Sequence, residues 1–167
     1  DWRDPGFVED ASWTSANLPI GFGSLVEAAT EIDDMRSAYS GIYLRHTFEY
    51  SGELPNALKL LLKIDDGAVV WINGVEVRRH NVDVDAELTF ESLARRATVR
   101  PSTTTEVLPA PALFLREGTN TIAAHAMNVR LTSGDFLFDA AVFIPGAEDG
   151  EILAFPSPGV ENTARSD

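Results

Sequence analysis

The sequence contains no cysteine, which excludes disulfide frameworks, thiol nucleophiles and zinc sites built from cysteine. Basic residues are scarce, because 13 lysines and arginines stand against 26 aspartates and glutamates, for a formal net charge of −13. Binding to nucleic acid or to anionic membranes depends on basic surfaces, so neither partner is expected. Purely apolar runs such as 68–72 and 140–144 are short, whereas a membrane-spanning helix needs about 20 residues. Membrane insertion is therefore not expected.

The chain has 167 residues, of which 44% are hydrophobic and 23% are charged. These values are typical of one globular domain that buries its own core. A strongly negative surface keeps a protein soluble, as secreted proteins need, and the first residues do not have the pattern of a signal peptide. We therefore expect an extracellular or cell-surface domain that belongs to a longer, processed chain.

Hydrophobic residues alternate with polar ones along 42–50, 58–65 and 136–144, with the period of two that is typical of half-buried β-strands. Asn73 and Gly74 form the strongest short hairpin signal in the chain. Several such strands without a βαβ rhythm predict an all-β protein, an antiparallel sandwich in which each sheet packs one face. The side chains predicted to lie in the core are Leu60, Leu62, Ile64, Val70, Ile72, Ile122, Phe136 and Phe138.

Two stretches have helical character. Residues 90–97 form one of them, and the other has apolar residues at roughly helical spacing between Leu25 and Met35. Both are short, so at most a few helical turns are expected. Beyond residue 146 the chain becomes acidic and polar, with Pro156 and Pro158. We interpret 1–146 as the sandwich domain and 147–167 as a C-terminal edge segment and linker.

The sequence carries no local signature of an enzyme. It lacks a G-x-S-x-G elbow and a Walker A loop, and the histidines His46, His80 and His125 fall on different predicted strands without metal-ligand spacing. The acidic pairs at 33–34 and 65–66 are adjacent in sequence, and neighbouring residues on a strand point to opposite faces. Neither pair alone is therefore predicted to form the carboxylate dyad of a glycosidase, and a carboxylate-dependent hydrolase is the least favoured function.

A calcium loop is suggested by Asn81, Asp83 and Asp85, which place oxygen ligands at alternate positions. The match fails at two key positions, because Ala86 replaces the expected glycine and Ser92 replaces the expected glutamate. A polar loop is the favoured interpretation, so no cofactor is assigned. A structural calcium ion held by loops distant in sequence stays open as an alternative.

Four motifs occur in the order found in galactose-binding-like β-sandwiches. The stretch DDGAVVWINGVEV at 65–77 resembles the family core D-D-G-A-x-V-x-(V/I)-N-G-x-x-V. YLRHTF at 43–48 and LREGTNTIA at 115–123 resemble two of its strands, and DASW at 10–13 followed by PIGFG at 19–23 resembles the opening of bacterial members. The chain is thereby identified as similar to this family over most of its length.

The resemblance implies a jelly-roll-like sandwich of two antiparallel sheets, with no chemistry of its own. Members act as carbohydrate-binding modules, often attached to large secreted proteins, or as accessory domains beside a catalytic domain. The expected function is therefore a non-catalytic carbohydrate-binding or attachment module. The alternative is a structural accessory domain that packs against a neighbouring domain of the same chain and binds no sugar. Fold alone does not decide between them.

Sugar binding requires exposed aromatic faces with polar groups beside them. Trp71 would point outward if its neighbours Val70 and Ile72 point inward, and loops are where binding residues concentrate. Trp13 also has an alternative role as a plug that closes one end of the sandwich, and Trp71 as a side chain that packs under a loop or neighbouring domain. The predicted ligand-binding residues are Trp13, Tyr39, Trp71, Arg78, Arg79 and His80.

Further motif residues have structural explanations. Gly67 and Gly74 are predicted to allow a positive φ in tight turns, and adjacent Asp65 and Asp66 to accept backbone N–H groups at the preceding turn. Arg45 and Asp139 each lie opposite the apolar residues of their strand. An ion pair between them is expected, either across the outer surface of the sandwich or beneath the N-terminal segment, with a solvated Arg45 as the alternative. The predicted turn residues are Asp65, Asp66, Gly67, Asn73, Gly74 and Asn120.

Overall fold

A computed structural model describes residues 1–23 and 27–145, together with the backbone of two strands at 152–154 and 162–165. No helix in these residues is long and apolar enough to cross a membrane. The regular structure is almost entirely β. The strands are β1 (Thr14–Ala16), β2 (Ile20–Phe22), β3 (Thr30–Glu31), β4 (Gly41–Tyr50), β5 (Ala57–Asp65), β6 (Gly67–Ile72), β7 (Val75–His80), β8 (Ser102–Pro109), β9 (Gly118–Met127), β10 (Phe136–Phe143), β11 (Ile152–Ala154) and β12 (Asn162–Arg165).

The strands form two sheets. Sheet A has the order β1-β12-β4-β9-β6-β7, and sheet B has the order β3-β2-β10-β5-β8, with β11 also paired to β10. All neighbours pair antiparallel except β2 and β3, which are parallel. The predicted all-β antiparallel sandwich is therefore confirmed.

The core lies between the two sheets, and strand alternation fills it. On β5, the side chains of Leu58, Leu60, Leu62 and Ile64 are at most 1% exposed, while Leu61 and the lysines between them face outward. Burying one such aliphatic side chain stabilises the fold by about 1.5–3 kcal/mol. All eight side chains predicted to lie in the core are buried.

Helical structure is limited to 3-10 turns in the described residues. One turn, at Asp33–Met35, lies in the first predicted helical stretch, and the other is at Pro111–Leu113. The second predicted stretch, 90–97, is not helical. Its backbone bonds to distant loops instead, because Ala94 N–H donates to the Asn128 carbonyl at 3.0 Å. Tertiary hydrogen bonds here override a weak local propensity.

The predicted C-terminal edge segment and linker, 147–167, falls mostly outside the described residues, as does Leu25 of the first helical stretch. Within the segment, β11 lies beside β10 at the edge of sheet B. β12 lies between β1 and β4 in sheet A. The linker assignment stays a prediction.

Candidate functional site

The turn between β6 and β7 is a buried amide junction. Asn73 has a φ of 50° and Gly74 a φ of 79°, as a tight reversal requires. The Asn73 amide Nδ2 donates to the Phe114 carbonyl and to Asn120 Oδ1, each at 2.7 Å, while its Oδ1 accepts the Thr121 N–H at 2.8 Å. The predicted hairpin turn is confirmed, and its asparagine is fully engaged in holding it.

Asn120 caps the turn that precedes β9. Its Nδ2 donates to the carbonyls of Arg116 at 2.7 Å and Gly118 at 2.8 Å, and its Oδ1 accepts the Arg116 N–H at 3.0 Å. The side chain is completely buried. The Asn120 side chain thus closes this turn, and the amides of Asn73 and Asn120 both serve to hold the fold together.

Asp66 joins three segments at the opposite end of the sandwich. Its Oδ1 accepts the Thr98 N–H at 2.5 Å and its Oδ2 accepts the Val129 N–H at 2.8 Å. Its carbonyl accepts the Asn81 amide at 3.0 Å. The predicted bonds to the preceding turn are wrong for Asp66, because the donors come from loops that only the tertiary fold brings close.

Asp65 lies against Asp66, although adjacent strand residues were expected to point apart. β5 ends at Asp65, so the alternation of the strand no longer separates the two side chains. Burial raises the pKa of Asp65 to about 7, with further contributions from a hydrogen bond to Asp66 and from the charges of Asp66 and Asp135. Both residues are at most 2% exposed. A glycosidase needs room for substrate between its carboxyl groups, and this contact leaves none.

Gly67 does not have the positive φ that was predicted for it. A glycine is needed here because there is no room for a side chain. A Cβ at this position would lie 2.9 Å from the Ala94 Cβ and 3.2 Å from the Asn81 carbonyl oxygen. The loop that follows β7 therefore packs directly on the Gly67 backbone, as expected for a glycine at a close approach.

The described residues contain no group of three or more histidine, cysteine, aspartate or glutamate side chains placed to hold a metal ion. In the calcium-loop pattern, the Asn81 amide donates to the carbonyls of Asp66 and Arg96. Asp83 pairs with Arg95, with 2.7 Å between Oδ1 and Nε. These side chains serve the loop, and a calcium site elsewhere stays a prediction.

Trp71 points away from the core, as predicted, but it is only 3% exposed. The Trp2 ring lies edge-on to it with centroids 5.7 Å apart, and the Arg3 guanidinium lies 5.2 Å from its ring centre. The expected exposure is wrong, because residues 1–12 fold back over this face of sheet A. A loop covers Trp71, which is the alternative that the sequence left open.

Trp13 and Tyr39 are also buried, each 8% exposed. The Trp13 ring lies 6.2 Å from Trp2 and 5.8 Å from Phe7, so the N-terminal segment covers it too. Neither tryptophan offers an open face for a sugar ring. This packing favours the plug role of Trp13, and the ligand-binding roles of both tryptophans stay predictions that lack the exposure they need.

Arg45 is buried under the same segment and does not follow either expectation. Its guanidinium forms an ion pair with Glu9 and donates to the carbonyls of Trp2 at 3.0 Å and Asp4 at 3.1 Å. Asp139 lies on β10, in the other sheet, and the outward faces of the two sheets look in opposite directions. The pair expected between Arg45 and Asp139 is therefore wrong.

The basic residues at the end of β7 are engaged with nearby acids. Arg78 pairs with Glu106 on β8 at 2.7 Å. Arg79 binds Glu76 through two bonds of 2.8 Å, which raise the pKa of Arg79. Burial and the charge of Arg78 lower the pKa of His80. Arg78 and Arg79 are thus bonded to acidic side chains, and the ligand-binding role of these three residues stays a prediction.

A cleft at the loop end of the sandwich brings together Tyr39 and Phe90. Its volume is about 310 Å³. Ser40 and Glu91 supply polar groups, and partly exposed leucines complete the rim. The residues lining this Tyr39–Phe90 cleft are Ala38, Tyr39, Ser40, Phe90, Glu91, Leu93 and Leu131.

A second cavity of about 450 Å³ is lined by polar groups that include Glu31, Asp33 and Arg36. Its aromatic ring, Phe22, is 3% exposed and lies 5.6 Å from the Arg36 guanidinium. Arg36 also donates to the Gly134 carbonyl at 2.6 Å. This cavity therefore offers no exposed ring and its cation is already bonded, whereas the Tyr39–Phe90 cleft includes the half-buried ring of Phe90 and is the better candidate for a ligand.

Two solved structures match part of this chain. The PA14 domain of the MpAFP antifreeze protein matches with a TM-score of 0.41 and 15% identity, over 78% of this chain and 53% of that chain. An α-L-rhamnosidase from Dictyoglumus thermophilum matches with a TM-score of 0.44 and 17% identity, over 74% of this chain and 13% of that chain. This chain thus spans about half of the first protein and a small part of the second.

No protein-family model matches the sequence, and no curated protein matches it. Both structural TM-scores lie below 0.5, so the β-sandwich assignment rests on the strand pairing of this chain, and neither likeness carries an argument about function. The finer resemblance to galactose-binding-like domains stays a prediction.

Sequence reasoning identified Tyr39 but missed Phe90 and Glu91. Both lie in the stretch that was predicted to be helical, and the long connection between β7 and β8 places them beside Tyr39 only in the folded chain. The available signal was an aromatic residue next to an acid within a long loop, where binding residues concentrate.

Proposed function

We propose that this chain is a non-catalytic carbohydrate-binding module of a larger secreted protein, and that the Tyr39–Phe90 cleft is its binding site. The cleft supports this proposal because it places the half-buried ring of Phe90 beside Ser40 and Glu91, with the largely buried Tyr39 at its base. Sugars bind through apolar ring faces on aromatic side chains and through hydroxyl groups that need polar partners.

The charge of the cleft favours neutral sugars over acidic ones. Glu91 is the only acidic or basic residue among the side chains that line the cleft, and the whole chain is strongly negative. A sugar carboxylate would be repelled, whereas a neutral hydroxyl can donate a hydrogen bond to Glu91. A small, open cleft of this kind fits a dissociation constant between about 1 mM and 1 μM.

The experiment is a titration of the full chain with a panel of neutral and acidic oligosaccharides. Binding is measured by NMR chemical-shift changes and by calorimetry, with and without calcium. A ligand found in the panel should lose binding at least tenfold with Phe90→Ala and severalfold with Glu91→Gln. Leu113→Ala, at the opposite end and 75% exposed, is the matched control and should bind normally. Equal binding by the Phe90→Ala and wild-type chains would reject this cleft as the site.

A second candidate function is a structural accessory domain. It is favoured by apolar side chains at the other end of the sandwich, where Val75 is 41% and Leu113 is 75% exposed. These two residues line a shallow depression together with Phe114, and exposed apolar patches often mark protein interfaces. Absence of binding across the whole sugar panel would favour this second function.

The proposal includes the absence of catalysis. The close acids Asp65 and Asp66 do not line either of the two cavities described above, and both Asp66 oxygens accept backbone N–H groups. We expect no turnover of glycoside, ester or phosphate substrates above background. Saturable hydrolysis that disappears with Asp65→Asn would overturn this part of the proposal.

A further inference from the structure

Residues 1–12 cover the outer face of sheet A without joining the sheet as a strand. Their backbone hydrogen bonds with other described backbone groups are local, such as Asp4 N–H to the Asp1 carbonyl at 3.0 Å and Phe7 N–H to the Asp4 carbonyl at 3.1 Å. Val8 is 85% exposed. The segment is therefore held on the sheet chiefly by side chains, as a bound peptide is held.

The first anchor of the segment is Trp2. Its ring centroid lies 4.8 Å from that of Tyr43 and 5.7 Å from that of Trp71, so it fills an aromatic pocket on β4 and β6. The Arg3 guanidinium, on the residue after Trp2, also covers Trp71 and lies 5.2 Å from its ring centre. Packed aromatic anchors of this kind carry most of the energy in peptide and protein interfaces.

The second anchor is the carboxylate of Glu9, which pairs with Arg45. Arg45 belongs to β4 and is 2% exposed, and its guanidinium also donates to two backbone carbonyls of the segment, those of Trp2 and Asp4. A buried guanidinium needs a carboxylate partner, because desolvation of an unpaired charge is costly. The sheet thus supplies a charged position that selects an acidic group at a fixed distance from the aromatic pocket.

We propose that the outer face of sheet A is a peptide-recognition surface, and that residues 1–9 are its intramolecular ligand. The partner it fits is an acidic peptide with a tryptophan and a glutamate spaced as Trp2 and Glu9 are. Such a peptide would compete with the chain's own segment for the Tyr43–Trp71 pocket and for Arg45. This surface borders the Tyr39–Phe90 cleft, since the Tyr43 and Phe90 ring centroids lie 6.0 Å apart, but the proposal does not depend on sugar binding.

The test uses the full chain with a protease recognition sequence inserted at Ala11, which is exposed. After cleavage, the freed N-terminal peptide should stay bound and should exchange saturably with a fluorescent synthetic peptide of residues 1–11. In the synthetic peptide, Trp2→Ala should weaken binding about tenfold and Glu9→Gln about thirtyfold or more. Val8→Ala is the matched control, because this side chain points into solvent, and should bind like the parent peptide.

Three results would overturn the proposal. The freed peptide could leave at once and fail to rebind at millimolar concentration while circular dichroism shows a folded sandwich. Cleavage could unfold the sandwich, which would make the segment part of the fold and no ligand. Equal binding of the Trp2→Ala, Glu9→Gln and Val8→Ala peptides would show that the two anchors do not recognise anything.

Discussion

The carboxyl groups of Asp65 and Asp66 are in contact in the interior of the sandwich, and they differ in their hydrogen-bond partners. Asp66 accepts two backbone N–H groups, one on each carboxyl oxygen. Asp65 has only the interior around it and a hydrogen bond to its neighbour, so its pKa rises to about 7. Asp65 is therefore protonated in the folded chain at pH values below about 7.

Asp65→Asn should stabilise the fold at alkaline pH. The folded-state pKa of about 7 lies above the ordinary aspartate pKa of 3.8, so the folded chain binds more protons than the unfolded chain between these values. Wild-type stability from this group therefore falls as pH rises from about 4 to 7. We expect the variant to gain about 1–3 kcal/mol in free energy of unfolding at pH 8, measured by urea denaturation.

The informative quantity is the difference between variant and wild type across pH 4 to 8. Burial lowers the pKa of His125 to about 4, and this residue works in the opposite direction, because its stability contribution falls as pH drops below 6.5. His125 is present in both proteins, so its contribution cancels when the wild-type free energy of unfolding is subtracted from that of the variant. Glu117→Gln, at an exposed position, should show no such difference, and a flat difference for Asp65→Asn would contradict the assignment.

Trp71→Ala should destabilise the protein by about 3–5 kcal/mol, because it removes a buried ring and leaves a cavity. The side chain is 3% exposed and lies beneath Trp2 and Arg3. Thermal unfolding followed by circular dichroism measures the loss. A change below about 0.5 kcal/mol, as for an exposed tryptophan, would mean that the N-terminal segment does not cover this face in solution.

Gly74→Val should cost about 1–3 kcal/mol, because a β-branched residue resists a φ of 79°. A new Cβ would also lie 2.7 Å from the Asp4 carboxylate. Gly134→Val is the control, since a Cβ there meets nothing within 4 Å and the residue has no positive φ. Chemical denaturation of both variants decides the matter, and equal midpoints would refute the tight turn.

Asn120→Ala should cost about 2–4 kcal/mol, because several buried hydrogen-bonding groups lose their partner together. These include the Asn73 amide and the backbone of Arg116 and Gly118. Asn56→Ala, at an exposed position, should change the free energy of unfolding little. If the two variants unfold at the same urea concentration, the amide junction does not hold this end of the sandwich.

The fold was largely predictable from the sequence because strand alternation and turn chemistry are local. The period of two on β5 identified Leu60 and Leu62 as core residues, and Asn73 with Gly74 identified the hairpin. Each of these signals needs only a few neighbouring residues. Local chemistry and the final structure agree at these positions.

The candidate site was less predictable because it depends on contacts between distant residues. Alternation correctly placed Trp71 on the outward face, but nothing near Trp71 indicates that Trp2 folds back onto it. The Glu9 partner of Arg45 and the Val129 partner of Asp66 are also remote in sequence. Single-sequence patterns cannot report such pairings, and these are the positions where the expectations failed.

The position of β12 has a consequence for the order of folding. β12 pairs with β1 on one side and with β4 on the other, and the ribosome makes it long after both. Until then, the edge of β4 and the whole of β1 lack their hydrogen-bonding partner, and open edges of this kind invite association with other chains. Sheet A is therefore complete only after the C-terminal strand β12 has been made. A nascent chain that stalls before β12 exposes an unpaired, aggregation-prone strand edge.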